Sequence, residues 1–70
     1  MENLSKEEVL LQLAKRVKEL RLKKGVSQQN AYNDTSIHFA RIEQGKRDIS
    51  YFTLYKISKY FDIELRDFFK

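Results

Sequence analysis

The 70-residue sequence contains no cysteine, tryptophan or proline, only two glycines, one histidine and one methionine. Without cysteine there is neither a disulfide scaffold nor a thiolate metal site, and a reducing cytoplasm is an allowed compartment. His38 has no second imidazole to share a metal and no adjacent nucleophile to activate, so neither a metal centre nor a catalytic base is indicated; a groove contact and a polar surface residue remain open for it. Gly25 and Gly45 are too few and too far apart for a loop that cradles phosphate. No carboxylate pair stands out. These absences predict a chain that is not an enzyme and carries no cofactor or metal. Apolar runs such as Val9, Leu10 and Leu11 are interrupted by Gln12 and Lys15, far short of a signal-peptide core or a membrane span, so a soluble intracellular chain without a membrane partner is expected. Strand alternation, repeats, low-complexity segments and linkers are also missing.

What is present is a helical pattern with a basic bias. A chain of this length makes one domain, residues 1–70, burying about 60% of its unfolded surface, which leaves little room for an enzyme pocket. The formal net charge of +4 and pI near 9.5 favour a polyanionic partner. Charge concentrates in residues 15–24, where Lys15, Arg16, Lys18, Arg21, Lys23 and Lys24 face the single acid Glu19, a local net of +5. Two readings stand for that segment: a solvated helix face favourable to the helix dipole, or, Lys23 and Lys24 first, the flank of a phosphate-binding surface.

The first helix is the best marked. Ser5 and Glu8 form a capping box, with Leu4 before the cap and Val9 after it placed for a hydrophobic staple. Val9, Leu13, Val17 and Leu20 recur at three and four residues as the buried stripe, widened by Leu10 and Ala14, and Gly25 ends the helix. Ser27 caps a second helix over 28–33. Asn33, Asp34, Thr35 and Ser36 compete for backbone partners and break it, Asp34 or Thr35 then capping a third helix over 36–44 that stops at Gly45. In that third helix Phe39 and Ile42 point inward while His38, Arg41 and Gln44 line another side, with Ala40 keeping the outer surface low. A rod of roughly 12 Å results, short enough for a DNA major groove, and Lys46 and Arg47 follow where a loop leaving the groove meets phosphate. Ser50 caps a fourth helix over 51–61 with Leu54, Ile57 and Phe61 inward, and a short last helix over 64–69 carries Leu65, Phe68 and Phe69. A compact five-helix all-α domain is expected. Tyr51, Phe52, Tyr55, Phe68 and Phe69 exceed what one small core must absorb, so they are either plain core or a homodimer seam.

RIEQGKR, preceded by GVSQQ and followed by TLYKISKYFDIELRDFF, resembles the Cro/CI-type (XRE-like) helix-turn-helix of phage repressors and small bacterial regulators. The similarity covers residues 13–69, with the motif at 27–44. It departs from the family in two places: the interval from Gln28 to Glu43 is about three residues short, the loss falling at the start of the recognition helix, and Tyr32 stands where the family has a small residue at the helix crossing, so that Ala31 takes that place or the helices pack further apart. Ile49 stands where the family often has proline.

The resemblance implies a lambda repressor-like fold and a sequence-specific, DNA-binding transcriptional regulator that binds a palindromic operator as a homodimer in a bacterial or phage-encoded, cytoplasmic setting. It implies that Arg21 pairs with Glu43 and ties the first helix to the recognition helix. Gln28 would hold a phosphate with Gln29 beside it, Ser36, His38 and Arg41 would face bases or backbone, and Lys46 and Arg47 would hold the flanking strand. The alternative is a protein-interaction or antitoxin-like module on the same fold, with weak or no base readout. No small-molecule ligand is expected in either case.

Overall fold

A computed structural model describes residues 3–68. Among these residues the regular structure is entirely helical: α1 (Lys6–Lys24), α2 (Gln28–Thr35), α3 (Phe39–Glu43), α4 (Tyr51–Tyr60) and a 3₁₀ turn over Leu65–Asp67. The radius of gyration, 11.6 Å, is close to the roughly 11 Å of a compact chain of this length.

Local signals set most of the boundaries. The Ser5 hydroxyl accepts from the Glu8 amide while the Glu8 carboxylate accepts from the Ser5 amide, each at 3.1 Å, and these bonds hold the Glu8 carboxyl below its usual range. Gly25, at φ +79°, ends α1 by donating to the Arg21 and Leu22 carbonyls. Ser27 and Ser50 cap α2 and α4 through the amides of Asn30 and Thr53.

The structure departs from the sequence-based expectations in the middle and at the end. The second helix does not break at Asn33. It continues to Thr35, whose hydroxyl donates to the Ala31 carbonyl at 2.7 Å and accepts from the Ile37 amide at 3.0 Å. One side chain thus satisfies the helix end and the turn together. Ser36 then takes the left-handed conformation at φ 64°, and α3 begins only at Phe39, with no side chain capping it. Five helices become four, because the expected last helix closes as a 3₁₀ turn. Val9 is exposed, so the buried stripe of α1 starts at Leu10.

The core is built around α3. Phe39 and Ile42, with Ile37 before them, pack against Leu13, Val17 and Leu20 of α1, Ala31 of α2, Ile57 of α4 and Phe68. Ala31 is fully buried and Tyr32 is not, so Ala31 occupies the close approach between α2 and α3. Phe68, expected either in the core or in a dimer seam, is fully buried; a seam contact through it is excluded. Arg16 of α1 fixes it there, donating through Nε to the Phe68 carbonyl and through Nη2 to the Asp67 carbonyl at 3.2 Å. The expectation for Phe69 lies outside the described residues.

Candidate nucleic-acid interface

Three elements are locked to one another beneath the surface that carries the candidate residues. Arg21 donates from Nε and Nη2 to the two carboxylate oxygens of Glu43, at 2.8 and 3.0 Å, and from Nη1 to the Val26 carbonyl at 2.9 Å. Gln28 adds its amide at 3.1 Å to the same carboxylate. Both charged side chains are almost fully buried, and the hydrogen bond to Glu43 holds the Arg21 guanidinium above its ordinary pKa. A buried charge needs this completeness: every polar atom of the group has a partner, so α1, α2 and α3 are held in one relative position.

Above this lock the seven candidate residues lie close together without being equivalent. Gln28 is half-buried and committed to Glu43, so its amide nitrogen is turned inward and not toward a phosphate. Gln29 is exposed, with its amide nitrogen on Asn33 at 2.9 Å. Ser36 is exposed at the left-handed turn, and His38 is exposed in the turn before α3. Arg41, Lys46 and Arg47 are all exposed, and among the described residues none of them joins an ion pair.

Three shallow clefts connect these side chains. Gln28, Gln29 and His38 line one, Ser36, His38 and Arg47 a second, and Arg41, Lys46 and Arg47 a third. His38 and Arg47 are each shared, so the seven positions form one continuous strip. Lys56 of α4 joins it in the middle cleft beside Ser50 and Thr53. The acid there, Asp48, is 3.5 Å from Lys6. The strip is therefore cationic, with hydroxyl and amide groups between the cations, as a polyanion requires.

Two contributors were not singled out from the sequence. Lys56 sits inside the pattern of α4, where nothing local marks it; only the path of the loop from Gly45 to Ser50 brings it to the strip. Tyr32 was noted only as too large for the helix crossing. Its ring instead stacks on His38, with centroids 4.8 Å apart and planes 30° apart.

The basic segment of α1 divides. Arg16 is spent on the carbonyls of Asp67 and Phe68, Arg21 on Glu43, and Lys24 lies over the Tyr60 ring at 4.8 Å. The Tyr60 hydroxyl in turn donates to Asp34 at 2.6 Å; burial first, then that bond and the Asp34 charge, push the phenol up to about 12. A second exposed surface lies on α4. Tyr51, Phe52 and Tyr55 are 74, 66 and 43% exposed, Phe52 and Tyr55 stack at 6.4 Å, and Lys56 and Lys59 lie over their rings.

Among the described residues no group of histidine, cysteine or carboxylate side chains is arranged to hold a metal ion, and no helix is long and apolar enough to cross a membrane. The chain matches no protein-family model, no curated protein and no solved structure.

Proposed function

We propose that this chain is a Cro/CI-type helix-turn-helix domain of the lambda repressor-like fold, with α2 and α3 as the motif, and that it binds double-stranded DNA in a sequence-specific manner as a transcriptional regulator. The observation that carries this reading is the continuous strip. Arg41, Lys46 and Arg47 stand without internal ion pairs on elements held rigidly by the Arg21–Glu43–Gln28 lock. Such cations are electrostatically unsatisfied, and phosphates spaced along a duplex satisfy them with release of counterions. In this reading Arg41 and Gln44 face the major groove, Lys46, Arg47 and Lys56 meet the sugar–phosphate backbone, and Ser36 and His38 border the groove edge.

The regulator acts as a homodimer on a palindrome, through the exposed face of Tyr51, Phe52 and Tyr55. Phe68, being buried, has no part in that seam.

The experiment is a selection from random-sequence duplexes by the purified chain at about 150 mM salt, followed by titration of the winner and of a scrambled duplex. A palindrome bound at least about a thousandfold more tightly than the scramble is the expected result. Equal, weak binding to both overturns the reading. That outcome would turn attention to a protein-interaction module, which the five-residue length of α3 and the aromatic face of α4 favour.

A further inference from the structure

The Tyr32–His38 stack has no role in the core and none in the lock beneath the strip. Tyr32 is 39% exposed on α2, and its ring lies against an imidazole that is itself exposed. The pair stands where α3 is shortened. A helix of five residues is only about 7.5 Å long, and the side chains that a longer helix would present from its first turn are replaced here by the turn over 36–38 and by whatever α2 offers beside it.

We propose that Tyr32, backed by His38, is a specificity-determining residue that reads the 5-methyl group of a thymine in the major groove. This rests on the DNA-binding reading given above. The cleft before the rings is bounded by Tyr32, His38, Phe39 and Ala40 on its apolar side and by Gln29 on its polar side. Ala40 contributes only a methyl group, which leaves room for another to enter. Gln29 spends one amide hydrogen on Asn33, and its carbonyl oxygen has no partner among the described residues.

An A·T pair offers a matching set in the major groove, the thymine methyl on one side and the adenine amino group, a donor, on the other. A G·C pair presents no methyl group. No carboxylate lines this cleft, and the nearby Glu43 is enclosed by Arg21 and Gln28, so nothing in it repels the duplex. Because the two rings already lie against each other, little side-chain freedom is lost on contact.

The test begins with the duplex that the wild-type chain selects. Each thymine is replaced in turn by deoxyuridine, which pairs identically and lacks only the methyl group. One or two replacements should weaken wild-type binding about fourfold, the effect of withdrawing one buried methyl. Tyr32→Ala should bind the selected duplex about tenfold or more weakly, bind the scramble unchanged, and no longer distinguish thymine from uracil. Tyr32→Phe, which keeps the ring, should retain the discrimination, and a circular-dichroism melt of each variant separates lost contact from lost fold.

Uracil discrimination that survives in a folded Tyr32→Ala overturns the proposal. So does a wild-type chain that selects a sequence yet ignores every uracil, an outcome that leaves the DNA-binding reading standing. A wild-type chain that selects nothing removes both.

Discussion

Arg21 and Glu43 form a two-pronged ion pair between α1 and α3, with Gln28 of α2 as a third donor. Removing one side of such a pair strands a charge with almost no access to water. Glu43→Ala should therefore lower stability by about 3–5 kcal/mol in urea unfolding, and Arg21→Met with Glu43→Leu should recover more than half of that loss. A loss below about 1 kcal/mol for Glu43→Ala would mean that the pair is solvated and does not hold the three helices.

Phe68 and Phe52 make opposite predictions although both are aromatic residues of the C-terminal half. Phe68 is fully buried, so Phe68→Ala should cost about 3–5 kcal/mol. Phe52 is 66% exposed, so Phe52→Asp should leave the helical circular-dichroism spectrum intact while abolishing the dimer in sedimentation. A Phe52→Asp chain that still sediments as a dimer would move the seam elsewhere.

The Tyr60 hydroxyl bound to Asp34 predicts an alkaline transition. The folded phenol titrates at about 12, above the value near 10 of an unfolded chain. Its contribution to stability is complete below pH 10 and is lost as pH rises toward 12, because the unfolded state gives up the proton first. Stability should fall more steeply across that window in the wild type than in Tyr60→Phe, as followed by urea titrations at fixed pH. Parallel curves would show that Tyr60 does not couple folding to pH.

Arg41→Ala should weaken binding to a selected duplex by about 1–3 kcal/mol, with relaxed sequence preference where the contact is to a base. Lys46→Ala and Arg47→Ala should weaken binding to all sequences alike and each reduce the salt slope by about 1. An unchanged slope in both would take the loop after α3 off the backbone.

Gly45 sits at φ +82°, where an added Cβ would come within 2.7 Å of the Leu11 side chain. Gly25, at φ +79°, has nothing within 4 Å. Leu11 is half exposed and can swing outward, so the left-handed backbone dominates at both positions. Gly25→Ala and Gly45→Ala should each cost about 1–2 kcal/mol in thermal unfolding. A Gly45→Ala loss far above the Gly25→Ala loss would show that Leu11 cannot yield.

The parts of the fold legible in the sequence are those decided within one helical turn. The Ser5–Glu8 box, the Ser27 and Ser50 caps, the Gly25 stop and the inward pair Phe39 and Ile42 all depend on neighbours three or four residues away. The rest was hidden where a residue's partner is distant or has two options. Thr35 reads as a breaker, yet the Ala31 carbonyl and Ile37 amide together make it a helix end. Phe68 reads as surplus aromatic surface until Arg16 fixes its backbone. In the candidate strip, the exposed positions of Arg41, Lys46 and Arg47 were readable from helical phase and loop position. The inward turn of Gln28 and the stack of Tyr32 on His38 were not, because both depend on how α2 meets α3.

The clasp of Arg16 on the Asp67 and Phe68 carbonyls bears on how the chain assembles. It spans 52 and 51 positions of sequence, so the first helix cannot finish its contacts until the far end of the described chain has come back to it. Closing so long a loop is entropically slow relative to helix growth, which places this docking after the α1–α3 pairing in the order of events. It also couples distant amides. Solvent opening at residues 65–68 releases the middle of α1 at the same moment, and deuterium should enter both segments as one kinetic unit.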